Sequence, residues 1–235
     1  MKKLSYILLI SLFFVACGKD QKDLTVKVNI KGLKKGTLYL KKVEDTLLVT
    51  VDSLVVNGHS NIQLHSDLDA PEIFYLYLDK HSAEEDRITF FADKGITEIN
   101  TTLKNFAFEA NIKGSEQQKV LEDYKKLISR MNNRSLELIK EQFDAQKKGD
   151  TATFNLLIKE SDNNLKRKYL FTVNFALNNK DSEVAPYLAL TEIYNARIDL
   201  LDTINKSLTP KVKASKYGKE LESFIKKIKN TEASN

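Results

Sequence analysis

Few residues of this 235-residue chain have side chains suited to covalent, redox or metal chemistry, and their spacing excludes more than it suggests. There is one cysteine, Cys17, and there are three histidines, His59, His65 and His81. A lone cysteine is a core thiol, a redox centre or a site of covalent modification. Disulfide exchange needs a thiolate and usually a resolving thiol nearby, and no second cysteine exists to supply one. The histidines form no close-spaced ligand pair; His59 and His65 flank an expected strand, so a metal site there needs carboxylates brought in by the fold. The acidic stretch "HSAEEDR", His81 to Arg87, could attract a cation, but it lacks the alternating Asp/Asn ligands and the glycine of a calcium loop.

Asp52 and Ser53 sit together without a histidine at triad spacing, so a strand-end hydrogen-bonding role is the simpler reading. A hydrolase pairing Asp52 with an acid from the 81–87 loop needs two carboxyls roughly 5–10 Å apart in a cleft. The eight glycines are scattered singly, and none builds a phosphate-binding loop. No catalytic residue, metal ligand or cofactor is therefore assigned, and the chain is read as a noncatalytic protein.

The surroundings of Cys17 favour attachment. Lys2 and Lys3 precede an uncharged run from Leu4 to Ala16, the layout of a signal peptide. That run is too short to span a bilayer, which takes about 20 apolar residues. "FVAC", Phe14 to Cys17, resembles a bacterial lipobox, with Phe14 where an aliphatic is usual. The resemblance implies a diacylglycerol thioether on Cys17, cleavage before it, and acylation of the freed amine, as by palmitate. Residues 1–16 are then the signal and 17–23 the tether. Gly18 stands where an Asp retains enteric-type lipoproteins at the inner membrane, so the expectation is an outer-membrane anchor. "KDQKD", Lys19 to Asp23, is similar to signals for surface display but also reads as a solvated tether, so both the periplasmic and the cell-surface face stay open.

Removing the signal leaves 35 basic residues against 32 acidic ones, a balance that carries no nucleic-acid footprint. With its cysteine committed to lipid, the chain has no disulfide, and packing must hold it together.

Two hydrophobic periods divide what remains. From Leu24, Val26, Val28 and Ile30 the period is two, and about eight short strands follow up to "NFAFEANI". Asn57-Gly58 reads as a tight hairpin, and the pattern as an antiparallel sandwich or barrel over 24–113. Aromatics such as Phe74, Tyr75, Tyr77, Phe90 and Phe91 alternate along these strands as core and cross-strand packing requires. Beyond Gly114 the period becomes 3.6. Ser115 caps a first helix with Val120, Tyr124, Leu127 and Met131 on one face; others run from Thr151 to Asn178, from near Ser182, and from Lys219 to Lys229. Strands first and helices second make an α+β fold, with a helical region at 114–230 and a tail at 231–235.

"KGTLYLKKVEDTLLVTVDSLVVNGHSNIQL" resembles the β-rich domain of unknown function that precedes thioredoxin-like (AhpC/TSA, TlpA-type) domains in lipid-anchored thiol-disulfide oxidoreductases. "GSEQQKVLEDY", "SEVAPYLAL" and "SKYGKELESFIKKI", with Tyr217 and Gly218, extend the resemblance over residues 24–229. In such proteins that last helix leads into a Trp-Cys-x-x-Cys domain, but this sequence contains no tryptophan and no second cysteine. The redox activity is therefore not carried over. The resulting expectation is a lipid-anchored interaction or accessory module with a protein partner, from a thiol-redox or envelope-maintenance pathway. The alternative is a glycan-, peptide- or small-molecule-binding lipoprotein that uses an aromatic-lined sandwich face or a groove between sheet and helices.

Overall fold

The computed structural model describes residues 22–58, 61–79 and 86–233. Its strands are β1 (Leu24–Lys31), β2 (Lys35–Glu44), β3 (Leu47–Asn57), β4 (Ile62–Ser66), β5 (Glu72–Leu78), β6 (Ile88–Ala92), β7 (Gly95–Thr102) and β8 (Asn111–Lys113). They form two four-stranded sheets, ordered β4-β1-β7-β8 and β3-β2-β5-β6. Six helices follow: α1 (Glu116–Lys147), α2 (Thr151–Asn178), α3 (Val184–Thr191), α4 (Ile198–Ser207), α5 (Pro210–Lys213) and α6 (Lys216–Ala233). The fold is α+β, a β-sandwich followed by helices.

Alternation in β1 sends Leu24, Val26, Val28 and Ile30 into the sandwich core, where they meet Leu38, Leu40, Phe74, Leu76 and Phe90 from the opposite sheet. β5 and β6 are apolar on both faces. Phe74 and Phe90 point into the sandwich, while Ile73 and Phe91 join Leu121, Tyr124, Ile128, Val184, Leu188 and Tyr217 under the helices. These two strands are covered on both sides, which explains why they read as nearly continuous hydrophobic runs.

Three local expectations change. The sandwich is not wholly antiparallel: β7 runs parallel to β1, from Leu24 opposite Gly95 to Lys31 opposite Thr102. Asn57-Gly58 does turn, with Gly58 at φ 78°, but it does not close a paired hairpin, because β3 pairs with β2 and β4 with β1 in the other sheet. "NFAFEANI" forms only the short β8, because its first part folds into turns. There Thr101 Oγ1 donates to the Phe106 carbonyl at 2.7 Å, and Glu109 accepts from Thr102 Oγ1 and Asn105 Nδ2. Phe106 is drawn into the core and Phe108 is left 95 % exposed.

Among the helices, Ser115 caps α1 as its position suggests, accepting from the Gln118 backbone N at 3.0 Å. The buried stripe is Leu121, Tyr124 and Ile128; Leu127, expected on that face, is 56 % exposed. The hydrophobic spacing predicts no helix at α4 or α5. α4 buries only Leu201 and Ile204 of its ten residues, and α5 is a single turn opened by Pro210. They complete a second helical core in which Val173, Ala176, Ala189, Leu201, Leu221 and Ile225 meet.

Candidate interaction site

The residues singled out for chemistry do not converge. Cys17, His59 and His81 lie outside the described residues, as does the 81–85 part of the acidic stretch. His65 is on β4, with its Nδ1 3.2 Å from Thr25 Oγ1. Asp52 serves the backbone: one carboxylate oxygen accepts from the Ser53 N and the other from the His65 N, each at 2.7 Å. It ties the edge of one sheet to the edge of the other, a hydrogen-bonding role as expected, but from the middle of β3 rather than from a strand end. Arg87 stacks over Tyr75 at 4.5 Å and donates to the Tyr77 hydroxyl at 3.1 Å. Among the described residues no three His, Cys, Asp or Glu side chains lie together as a metal site.

The junction between sheet and helices is closed by polar clamps around an aromatic cluster. The Tyr217 hydroxyl accepts from the Ile73 N at 3.0 Å, and Gln118 Oε1 accepts from the Phe91 N at 2.8 Å. Phe91, Tyr187 and Tyr217 pack edge to face with centroids 5.3–5.7 Å apart. Glu72, nearly buried, is held by Lys42 at 3.2 Å and Lys216 at 2.6 Å, and Lys216 also donates to the Val43 carbonyl. Attraction to Glu72 and Glu44 outweighs the loss of solvation and raises the Lys42 pKa. Glu183 accepts from Ser215 Oγ, and burial pushes its carboxyl pKa up. The Tyr217-Gly218 element has a packing reason, since a Cβ at Gly218 would lie 2.0 Å from the Val212 carbonyl oxygen. The aromatic groove expected between sheet and helices is thus largely filled by its own side chains. A cleft of about 210 Å³ remains beside Tyr75, Tyr187 and Tyr217.

A larger apolar groove lies elsewhere, between α2 and the start of α4. It measures about 490 Å³; Leu165, Tyr169, Leu170 and Leu200 form its walls, and Lys166 and Arg197 stand among its charged rim. The Tyr169 hydroxyl donates to Asn195 Oδ1 at 2.7 Å, and Arg197 is paired with Asp199 at 2.6 Å.

The most unusual surface is the outer half of the α1–α2 hairpin. A 32-residue helix is roughly 48 Å long, and only its first turns touch the sandwich. Beyond Met131 polar side chains enter the seam between the two helices beside the buried Leu138 and Ala145. Asn164 Nδ2 donates to the Met131 carbonyl and to Ser135 Oγ, and Gln142 Nε2 donates to Ser161 Oγ and the Leu157 carbonyl. Arg134 gathers Glu137, Glu141 and Glu160 at 2.8–3.1 Å. The large apolar side chains of this stretch of α1 mostly face outward: Leu136, Ile139 and Phe143 are 66, 61 and 65 % exposed, while Leu138 and Ala145 turn inward. Leu136, Ile139 and Phe143 recur at i, i+3 and i+7 and so share one helical face. Sequence reasoning passed over them because a helical apolar stripe ordinarily packs within its own chain. Helical spacing gave no signal to separate the two groups, because Ile139 lies about five full turns beyond Leu121 and so on the same side of an ideal helix.

No helix among the described residues is long and apolar enough to cross a membrane. Neither the curated proteins nor the solved structures contain a match to this chain. Residues 24–121, which comprise the whole sandwich and the first six residues of α1, match a protein family described as a domain of unknown function (DUF4369).

Proposed function

We propose that this chain is a noncatalytic, lipid-anchored protein of the cell envelope, held at the outer membrane through Cys17, and that it acts as an interaction or accessory module. The observation that carries the interaction role is the outer half of the α1–α2 hairpin, where Leu136, Ile139 and Phe143 face solvent while polar side chains share the seam with Leu138 and Ala145. Exposed apolar surface of this kind marks a place where another molecule packs. The resemblance of the sequence to modules of thiol-redox lipoproteins makes a protein of a redox or envelope-maintenance pathway the first partner to look for. The side chains best suited to chemistry point the same way, because Asp52, His65 and Arg87 are engaged in structural contacts.

Membrane pull-down with the full-length protein and with a Leu136→Ser/Ile139→Ser/Phe143→Ser variant tests the interaction role. A reproducible partner recovered by the first and lost by the second is the expected result; equal recovery by both removes the arm from the proposal. The anchor is tested separately by the mass of the mature N-terminus. An unmodified Cys17, or a Cys17→Ala protein that stays firmly on membranes, overturns it.

The groove between α2 and α4 favours a second reading, a ligand-binding lipoprotein, since its volume lies in the range of small-molecule sites. Its ligand would have an apolar body packed between Leu165, Leu170 and Leu200. A Leu170→Glu variant that leaves the binding of every recovered small molecule unchanged argues against this reading.

A further inference from the structure

The stripe of Leu136, Ile139 and Phe143 has charged borders. Lys140 lies four residues after Leu136 and Lys147 four residues after Phe143, so both ammonium groups flank the apolar side chains on the same helix face. Among the described residues neither lysine has an ion-pair partner. Nearby carboxylates that could have neutralised them are drawn away: Arg134 holds Glu137, Glu141 and Glu160. Asp144 is the carboxylate left beside the stripe, with Lys140 four residues before it and Lys147 and Lys148 just after it in the sequence.

We infer that the occupant of this stripe is a protein partner presenting an apolar helical surface rimmed by carboxylates. The inference rests on the proposed interaction role of the arm and adds the shape and charge sign of what it binds. Anchors at i, i+3 and i+7 are the spacing by which one helix seats against another or in an apolar groove. On α1 itself the stripe is three residues long and one residue wide, the narrow seam of helix pairing, whereas a helix lying on a bilayer presents a broad apolar face. A second copy of this chain is disfavoured, because arms paired through the stripe bring lysine borders together, and like charges across an interface are costly. Carboxylates on the partner turn the same lysines into a source of attraction and of correct register.

Two synthetic helical peptides with the same leucine seam, one flanked by Glu and the other by Lys, provide the test. Each is titrated by fluorescence anisotropy into the chain carrying Cys17→Ser, which removes the proposed lipid site. The Glu-flanked peptide is expected to bind about tenfold tighter or more, with an advantage that shrinks as salt rises. In a Lys140→Glu/Lys147→Glu variant the preference is expected to reverse; both positions are exposed, and unchanged circular dichroism verifies the fold. Equal binding, or preference for the Lys-flanked peptide, overturns the acidic-partner inference and leaves the interaction role standing. Both fall if neither peptide binds through the stripe and the triple serine variant also keeps its membrane partner. Stripe-dependent sedimentation with phosphatidylglycerol-containing vesicles and no peptide binding overturns the inference in favour of lipid. Stripe-dependent dimerisation overturns it in favour of a second copy.

Discussion

The two halves of the α1–α2 hairpin belong to the same pair of helices yet differ in how much apolar surface they bury. Near the sandwich, Tyr124 packs against Phe171 and Phe175, with centroids 6.1 and 5.2 Å away, and its hydroxyl meets Thr172 Oγ1 at 2.9 Å. Farther out, Gln142, Ser161, Asn164 and Ser135 share the seam with the buried Leu138 and Ala145, and Leu136, Ile139 and Phe143 point to solvent. The inner half has a sheet to cover: Ile73 and Phe91 supply the apolar surface against which Leu121, Tyr124 and Ile128 are buried. The outer half has no such surface in the chain. An amphipathic helix gains most of its stability from packing its apolar face, so the outer half holds its best packing surface in reserve.

Mutations that treat the two halves alike break or sharpen this comparison. Phe91→Ala removes an aromatic side chain fully buried at the junction and is expected to cost about 3–5 kcal/mol, read from chemical denaturation. A cost comparable to that of a surface substitution would mean that the helices are not held by this contact. Tyr217→Phe leaves the Ile73 N–H without its acceptor and should cost about 1–3 kcal/mol. That loss should appear with little change in the ring packing among Phe91, Tyr187 and Tyr217.

Glu183 gives a pH-dependent test of the same junction. Burial raises its folded-state pKa, so the unfolded state holds its proton less tightly, and the stability this group contributes is fully present at low pH and lost as pH rises through the folded pKa. Glu183→Gln keeps an acceptor for Ser215 Oγ without the charge. Thermal melts should therefore show the variant gaining on the wild type as pH rises from 4 to 8; parallel profiles count against the assignment. The smallest effect is expected in the outer half, where Phe143→Ser should change stability by no more than about 0.5 kcal/mol. A loss like that of Phe91→Ala would make Phe143 part of a core rather than a docking surface.

Much of the architecture was legible in the residues. The period-two pattern from Leu24 and the change of period at Gly114 gave the order of sandwich and helices, and Ser115 marked the start of α1. The sheet pairings were less legible, because side-chain alternation says which residues face a core but not which strand lies alongside. Hence the parallel β1–β7 pair and the separation of β3 from β4 into different sheets were not anticipated. The loop at 103–109 misled for another reason. Alternating apolar residues resemble a strand, and the hydrogen bonds of Thr101, Thr102, Asn105 and Glu109 that fold it into turns come from polar side chains brought together across the turn.

The candidate site depended on tertiary structure more than the fold did. By itself the sequence placed a single cysteine after an uncharged run, which carries the proposed attachment, and scattered three histidines with no close ligand spacing. It also determined that Leu136, Ile139 and Phe143 share a face, because helical spacing is a local property. Whether that face is core or surface was decided only when the helices docked. The inner turns of α1 found the apolar face of the sheet, while the outer turns buried only Leu138 and Ala145 and left Leu136, Ile139 and Phe143 outside. Burial is a relation between segments distant in sequence, and only the folded chain could leave this stripe facing solvent.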